Sequence, residues 1–273
     1  MNTFVITTVR GREEHLRQQL KGLARCTPRP DHHVVVTMND SGASRIVAES
    51  RCPTTVVACD GDGTRLPIAA ARNLGAAVAI DGGADLLVFL DVDCVPAEDM
   101  IAGYLRAAGD PAHRDALLCG PVTYLPPPPA AGYDLSALPA MVNPHPARPR
   151  PSDRQVLTST DYDLFWSLSF AVTPQTWDRV GGFCTYYRGY GGEDTDFAQM
   201  AAAAGVTMRW VGGAHAFHQF HPVSDPPVEH VVDIVINARI FHARWGWWPM
   251  QGWLHAFAER GMVRWTETEL SVA

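Results

Sequence analysis

Two aspartates one residue apart follow an apolar run that has the features of a buried strand. Residues 86–96 read LLVFLDVDCVP, so Asp91 and Asp93 follow the run with only Val92 between them. A turn accepts aspartate for local hydrogen bonding, which is the structural interpretation. Two carboxylates at the end of a strand can also face one point and bind a hard divalent cation such as Mg²⁺ or Mn²⁺. Taken alone, the motif leaves both interpretations open.

A second acidic motif, GYGGED at residues 189–194, joins three glycines to Glu193 and Asp194 at the start of a predicted helix. Acidic side chains at this position complement the helix dipole, so capping is one explanation. The same dipole keeps a carboxylate ionised, as a general base or an acceptor of sugar hydroxyls requires. Glycines also let the backbone approach a ligand closely, and we favour the functional interpretation.

Three histidines follow in the segment HAFHQFHP, at intervals of three residues: His215, His218 and His221. Two of them converge if the segment turns. Imidazole suits Mn²⁺ or Zn²⁺, so one of these histidines is a candidate for a third metal ligand beside the two aspartates.

Arginines follow the first predicted strand in TTVRGR, where Arg10 and Arg12 stand at the position that a nucleotide occupies in many α/β proteins. Solvation of a helix start explains them equally well. Arg72, in the segment AARNLG, is ambiguous in the same way.

The elements that position these motifs alternate between strands and helices. Short β-branched runs at residues 4–8, 33–38, 54–58 and 86–90 predict strands covered on both faces, and residues 13–23 and 66–80 predict helices between them. This order predicts an α/β fold with a mainly parallel central sheet flanked by helices. The predicted strands end in TTVRGR, TMNDSG, ACDGDG and LDVD, at the sheet edge where such folds bind ligands.

Two segments depart from this alternation. Residues 126–152 are so rich in proline that they predict a long loop, either a lid or acceptor-side loop or a disordered excursion. Beyond residue 226 we predict a helix whose apolar stripe is Val228, Val231, Val232, Val235 and Ile236. The tail that follows is rich in tryptophan, and its indoles form an acceptor platform, a packed core or a dimer contact.

Composition restricts the class of protein. The net charge of −7 argues against nucleic acid as a partner. No apolar run approaches the roughly 20 residues of a transmembrane helix, and the amino terminus lacks the layout of a signal peptide. The six cysteines are scattered without a CxxC pair, which favours reduced thiols and a cytoplasmic location.

Together these motifs resemble the GT-A glycosyltransferases, in particular the family 2-like members that carry a galactosyltransferase-type GYGGED motif. TTVRGREEHL is similar to the opening strand and arginine loop of that group, and ARNLG to its Arg-Asn segment. FLDVDCVP matches the DXD metal motif, GYGGEDTDF the Gly-(Trp/Tyr)-Gly-Gly-Glu-Asp signature, and FHQ the metal-binding histidine that follows. The resemblance runs in the family's order from residue 4 to about residue 221.

The resemblance implies a role for each matching residue. Asp93, less directly Asp91, and His218 would hold Mn²⁺ (or Mg²⁺), with His221 as the fallback. Asp194 would deprotonate the acceptor hydroxyl if the reaction inverts, and would position the sugar if it retains. Glu193 would hold sugar hydroxyls, and Tyr190 would stack on a sugar. The residues expected at the nucleotide sugar are Thr8, Val9, Arg10, Arg12, Asp40, Arg72, Asp91, Tyr190, Gly191 and Gly192.

We therefore expect a GT-A domain over residues 1–225 and a helical, Trp-rich extension over residues 226–273. Within the domain, residues 1–125 would bind the nucleotide, residues 126–152 form the proline-rich loop, and residues 153–225 supply the acceptor and catalytic half.

The expected partners are a GDP- or UDP-hexose donor and an oligosaccharide or glycoside acceptor, with a homodimer possible. The signature favours UDP-galactose or UDP-N-acetylgalactosamine. The amino-acid composition instead indicates a GC-rich, actinobacterial genome, and that setting fits the GDP-mannose-dependent enzymes of methylmannose polysaccharide assembly. A sugar nucleotidyltransferase and a non-catalytic binding module are more distant alternatives, because the chain lacks a Gly-rich loop with lysine and its acidic motifs are intact.

Overall fold

The computed structural model describes residues 1–61, 63 and 65–273. One position of the strand-end segment ACDGDG, Asp62, lies outside the described residues.

The predicted α/β fold is confirmed, and it is built on an eight-stranded sheet with the order β3-β2-β1-β4-β9-β6-β10-β8. Six of these strands run in one direction, while β9 and β8 pair antiparallel to their neighbours. The strands are β1 (Thr3–Val9), β2 (His32–Thr37), β3 (Thr54–Ala58), β4 (Leu86–Leu90), β6 (Leu117–Cys119), β8 (Val156–Ser159), β9 (Ser169–Val172) and β10 (Met208–Val211).

A smaller sheet is attached to the edge where β4 ends. Its order is β5-β11-β7, and its strands are β5 (Cys94–Pro96), β7 (Val122–Tyr124) and β11 (Ala216–His218). The register places His218 opposite Cys94 on one side and opposite Tyr124 on the other. This pairing brings two distant parts of the chain next to the DVD turn, which is formed by residues 91–93.

Helices cover both faces of the large sheet, which explains why the apolar runs lack alternation. In β4, Leu87 and Phe89 belong to one buried cluster, and Val88 and Leu90 belong to the cluster on the opposite face. The helices are α1 (Glu13–Arg25), α2 (Ala43–Val47), α3 (Ile68–Asp81), α4 (Met100–Gly109), α5 (Pro174–Val180), α6 (Glu193–Ala203), α7 (Val231–Trp245) and α8 (Gln251–Glu259). Among the described residues, no helix is long and apolar enough to cross a membrane.

The proline-rich loop packs against the small sheet. It contains one short 3-10 turn, Leu138–Met141, and the Leu138 side chain is buried in a cluster with Val95 and Phe217. A β-bridge joins Pro144 to Thr123, and Arg148 near the end of the loop is only 5% exposed. The loop is therefore held at the carboxyl edge of the sheet.

The extension after residue 226 contains α7, α8 and a hairpin of β12 (Val263–Trp265) and β13 (Leu270–Val272). The apolar stripe that we predicted for α7 is wrong in part, because Val232 is 54% exposed and Ile236 is 37% exposed. The buried face instead carries Ile234, Val235 and Ala238, together with the polar Asn237.

Candidate functional site

The DVD motif forms a turn that is fixed by backbone hydrogen bonds. The amide of Asp91 donates to the carbonyl of Leu168 (3.0 Å), and the amide of Cys94 donates to the carbonyl of Asp91 (2.8 Å). Gln19, a buried side chain of α1, donates to the carbonyls of Asp91 (2.8 Å) and Cys94 (3.1 Å). The turn is therefore supported from two directions, and Gln19 is a supporting residue that the sequence motifs did not indicate.

Asp93, His218 and His221 form a cluster of potential metal ligands. Oδ2 of Asp93 lies 3.4 Å from Nε2 of His218 and 3.5 Å from Nε2 of His221, and one ligand atom from each residue lies within 4.8 Å of the others. Side-chain exposure is low, between 13% and 18%. The set of two imidazoles and one carboxylate fits a divalent transition metal better than Mg²⁺, which prefers oxygen ligands.

The protonation of this cluster is set by its own contacts. Burial alone would raise the pKa of Asp93, but hydrogen bonds from His218 and His221 outweigh it and hold this pKa well below its ordinary value. Burial would lower the pKa of His218, and the neighbouring Asp93 reverses that effect and raises it. Because an imidazole binds a metal only in its neutral form, we expect metal affinity to fall as the pH is lowered.

Asp91 lies outside this cluster and forms an ion pair with Arg72. The buried guanidinium of Arg72, in α3, lies 3.0 Å from Oδ1 of Asp91 and 3.0 Å from Oε1 of Glu193, and it stacks on the Phe183 ring at 5.0 Å. Burial raises the pKa of Asp91 to about 6, although Arg72 opposes the shift. Arg72 thus links the DVD and GYGGED motifs, while the contact that we predict between Arg72 and the nucleotide stays a prediction, as does a metal role for Asp91.

Asp194 occupies the first turn of α6 beside Glu193. Burial raises its pKa to about 7, the negative charge of Glu193 adds to the shift, and Arg72 opposes it. A carboxyl group with a pKa near neutrality can accept a proton at the start of a reaction and release it afterwards. Asp194 therefore has the proton affinity that a general base requires.

The GYGG segment depends on glycine and on the extension. Gly191 and Gly192 have φ values of 85° and 91°, a left-handed region that other residues enter at a cost. Asn237, fully buried in α7, donates to the carbonyls of Arg188 (3.0 Å), Tyr190 (3.2 Å) and Gly191 (2.7 Å). Helix α7 thereby fixes the backbone that leads into Glu193 and Asp194.

Two further polar groups join the extension to this segment. Asp233 accepts from the amide of Tyr190 (3.2 Å) and pairs with Arg65 (2.7 Å), which also contacts the side chain of Asn237. Asp196, which is fully buried, accepts from Tyr187 (3.1 Å), Arg244 (2.7 Å) and Trp245 (2.8 Å). Asp196 is therefore an anchor between α6 and α7, and the sequence motif did not distinguish it from its acidic neighbours.

Aromatic side chains flank the site on two sides. The Tyr190 ring stacks on His230 (4.4 Å between centroids) and lies 5.8 Å from Trp253. Tyr124, 45% exposed, lies 4.8 Å from the ring of the metal-cluster residue His218. Among the tail tryptophans, Trp248 is buried, as the packing alternative predicts, and Trp253 lies beside Tyr190, while the acceptor platform stays a prediction.

Five of the residues that we predict at the nucleotide sugar lie at or beside the end of β1. Thr8 and Val9 end that strand, Arg10 is exposed, and the charge of Arg12 acts on His218 and opposes the rise of its pKa. Asp40 uses both carboxylate oxygens to accept backbone amides, from Gly11 (2.7 Å) and Gly42 (2.8 Å), and so ties the loop after β1 to the loop after β2.

One of the three candidate histidines lies outside the metal cluster. His215 is buried and its Nε2 lies 2.9 Å from the hydroxyl of Thr123, while burial lowers its pKa to about 4. The convergence of two histidines is instead that of His218 and His221, because the chain turns after β11.

We expect the substitution Asn237→Ala to reduce turnover more than it weakens donor binding. It removes the side-chain donor from the carbonyls of Tyr190 and Gly191, and a buried carbonyl left unpaired costs about 1–3 kcal/mol, whereas the carbonyl of Arg188 still accepts from Arg65. The exposed Val232→Ala on the same helix is the matched control. Steady-state kinetics with thermal unfolding tests this: a loss of stability with kcat unchanged would mean that α7 supports the fold but not the site.

Comparisons with known proteins find glycosyltransferases among the similar sequences and structures. The family model described as the N-terminal domain of galactosyltransferase matches residues 154–222, the part that holds GYGGED and His218. The validoxylamine A glucosyltransferase of Streptomyces hygroscopicus subsp. limoneus is 29% identical over 240 residues, which cover 75% of this chain and 48% of that protein. The chain thus spans about half the length of this curated relative.

Solved structures share the fold at low sequence identity. The structure of GalNAc-T7 with UDP, GalNAc and Mn²⁺ has a TM-score of 0.60 at 15% identity and covers 89% of this chain and 50% of that chain. The mannosyltransferase PcManGT from Pyrobaculum calidifontis, in complex with GDP-Man and Mn²⁺, has a TM-score of 0.53 at 18% identity and covers 94% and 69%. The chain therefore has the GT-A fold of the glycosyltransferases, and its second half carries a galactosyltransferase-type segment.

Proposed function

We propose that the chain is a metal-dependent hexosyltransferase, which moves a hexosyl group from a nucleoside-diphosphate sugar to a hydroxyl of a sugar acceptor. The observation that carries the proposal is the cluster of Asp93, His218 and His221 at the carboxyl edge of the sheet. The ion-paired residues Asp91, Arg72 and Glu193 link the turn that carries Asp93 to the first turn of α6, where Asp194 lies. A metal-ligand set and a carboxylate of raised pKa are the two groups that glycosyl transfer to a hydroxyl requires.

In this proposal Asp93, His218 and His221 hold the metal. A divalent metal bound there would supply positive charge to the diphosphate that leaves the sugar. Arg10 and Arg12 lie on the side of the site where the nucleotide would bind, and their guanidinium groups suit phosphate oxygens. Thr8, Val9 and Asp40 shape the loops there, and Arg72 keeps Asp91 and Glu193 in place.

Asp194 is the residue that we assign to the acceptor hydroxyl. In an inverting reaction its ionised carboxylate takes the hydroxyl proton as the oxygen attacks the anomeric carbon. In a retaining reaction it would position the sugar instead. The pKa of about 7 favours the first role, because such a base is strong enough to accept a proton and is still about half ionised at neutral pH.

The donor that we propose is GDP-mannose, with UDP-galactose or UDP-N-acetylgalactosamine as the alternative. PcManGT was crystallised with GDP-Man, whereas GalNAc-T7 was crystallised with UDP and the matched family model is a galactosyltransferase domain. The relative from Streptomyces is named a glucosyltransferase, so UDP- and GDP-glucose also belong in a donor screen. The role that we propose in intracellular polysaccharide synthesis depends on this donor.

A donor screen tests the proposal. The chain is incubated with Mn²⁺ and each GDP- or UDP-hexose, with and without mannoside, glucoside and galactoside acceptors, and nucleoside diphosphate release is measured. We expect one donor to give release that increases with acceptor. Release of pyrophosphate from a nucleoside triphosphate and a sugar phosphate would indicate a nucleotidyltransferase instead, and binding of a donor without any release would indicate a binding module.

We expect Mn²⁺ or Co²⁺ to support turnover at least about tenfold better than Mg²⁺, because two of the three ligands are imidazoles. EDTA is expected to stop the reaction and added Mn²⁺ to restore it. Initial rates at matched free metal concentrations measure this preference. Equal rates in EDTA would contradict a metal role for the cluster.

A further inference from the structure

A buried arginine without a carboxylate partner lies on the acceptor side of the site. Arg148, near the end of the proline-rich loop, is 5% exposed, and its guanidinium stacks on the ring of Trp166 at 3.9 Å. Its Nε donates to the carbonyl of Leu164 (3.1 Å). Among the described residues, no acidic side chain pairs with it and no hydrogen bond satisfies its two terminal nitrogens. A buried charge of this kind is costly unless something compensates it.

A second unsatisfied donor lines the same cavity. The cavity is bounded by Arg148, Trp166, Trp210, Gly120 and the hydroxyl-bearing Ser167. The indole N–H of Trp210 is buried and has no hydrogen-bond partner in the described part of the chain. Arg148 and Trp210 therefore line one small space, and the terminal guanidinium nitrogens and the indole N–H have no acceptor among the described residues. A guanidinium with open terminal nitrogens suits an anionic oxygen.

The sheet places this cavity beside the catalytic edge. Strand pairing leads from Trp210 to the DVD turn. Trp210 pairs with Cys119, and Cys119 pairs with Phe170 of β9. The next residue of β9, Ser169, pairs with Leu90, which directly precedes Asp91. Leu168, which accepts the amide of Asp91, also lines the cavity. The negative charge of Asp194 acts on Arg148, so the cavity lies near the carboxylate that we assign to the acceptor hydroxyl. It belongs to the β9–β6–β10 half of the edge, away from the nucleotide side at β1 and β2.

We propose that the cavity between Arg148 and Trp210 binds a carboxylate, and that this group is part of the acceptor. The planar fork of a guanidinium matches the two oxygens of a carboxylate, and the indole N–H supplies a third hydrogen bond. The acceptor assignment rests on the proposed transferase function, whereas the carboxylate site does not. The proline-rich loop thereby has a role in selecting the acceptor.

Titration with acetate tests the site without any turnover. In the ¹⁵N spectrum of the tryptophan indoles, with the Trp210 resonance assigned by its loss in Trp210→Phe, we expect acetate to shift that resonance saturably. Chloride at equal ionic strength serves as the reference. Arg148→Gln is expected to weaken acetate binding at least about tenfold. The exposed Arg154→Gln, close in sequence, is the control and should leave it unchanged.

The variant Trp210→Phe separates a ligand site from a packing role. It removes the unpaired N–H together with the five-membered ring of the indole and leaves a small cavity in the core, so we expect a lower melting temperature together with weaker acetate binding, followed on the Trp166 indole. A lower melting temperature with unchanged acetate binding would show a packing role alone and overturn the role of Trp210 in binding. A Trp210 resonance that does not respond to acetate in the wild type would overturn the site itself.

Acceptor kinetics test the second part. We expect methyl glucuronide to exceed methyl glucoside in kcat/KM, and Arg148→Gln to bring the ratio of the two kcat/KM values close to one. Acetate binding with no preference for the acidic acceptor would show a free-anion site and overturn the acceptor assignment. If no acceptor is used at all, the proposed function fails while the acetate titration still decides the site.

Discussion

Replacing Asp93 with alanine is expected to lower the rate of sugar transfer on the order of 10³-fold and to remove the dependence of donor binding on Mn²⁺. Asp93 is the carboxylate that joins His218 and His221 into one ligand set, and its loss leaves two imidazoles without their anionic partner. A metal at such a site contributes several kcal/mol to stabilisation of the leaving diphosphate, and each 1.36 kcal/mol is a factor of ten in rate. Turnover and donor titration, each with Mn²⁺ and with EDTA, measure both effects.

The matched control is Asp81→Ala, an exposed aspartate at the end of α3. It removes the same charge from the chain without touching the site. Folding is checked by thermal unfolding, because removing a buried carboxylate beside two histidines also changes their pKa values. An Asp93→Ala enzyme that keeps its Mn²⁺ dependence would show that the metal binds elsewhere.

Asp194→Asn is expected to lower kcat by about 10²- to 10⁴-fold while donor binding stays within about threefold of the wild type. The pKa of Asp194 is raised to about 7 by burial and by Glu193, so the carboxylate that acts as base is lost as the pH falls through 7. The wild-type kcat should therefore fall about tenfold per pH unit below that value, and the residual activity of the variant should lose this limb.

The control for Asp194→Asn is Asp178→Asn, a change at an exposed position of the neighbouring α5. Donor binding by calorimetry and product stereochemistry by NMR complete the test. A variant that retains most of its activity, or a product that keeps the donor's configuration, would exclude the base role and leave Asp194 as a residue that positions the sugar.

The sequence was most informative where an element is defined by local pattern. The apolar run of β4 predicts a strand buried on both faces, and the structure shows its side chains alternating between two clusters. The common position of the polar strand ends then follows, because the carboxyl ends of parallel strands lie at one edge of the sheet.

The site depends on long-range pairing that no local pattern contains. His218 reaches Asp93 because β11 pairs with β5, more than 120 residues away in the chain. Arg72 was predicted at the nucleotide, but its partners Asp91 and Glu193 lie 19 and 121 positions away, and only the fold brings them together.

One missed residue did carry a signal. Asn237 is a polar side chain within the apolar sequence VVDIVINARIF, and a buried amide in such a helix must find hydrogen-bond partners. The stripe that we predicted instead included the β-branched residues Val232 and Ile236, which are exposed. The error arose because apolar residues occur around most of α7, so periodicity could not select the buried face.

Donor binding with and without metal is the most direct test of the proposed centre. Titration calorimetry of GDP-mannose and of UDP-galactose is carried out on the wild type in Mn²⁺ and in EDTA. We predict that one of the two donors binds in Mn²⁺ and that its affinity falls at least about tenfold in EDTA. Equal affinity in both conditions, or no binding of either donor or of any other nucleotide hexose, would contradict a metal–diphosphate site at Asp93, His218 and His221.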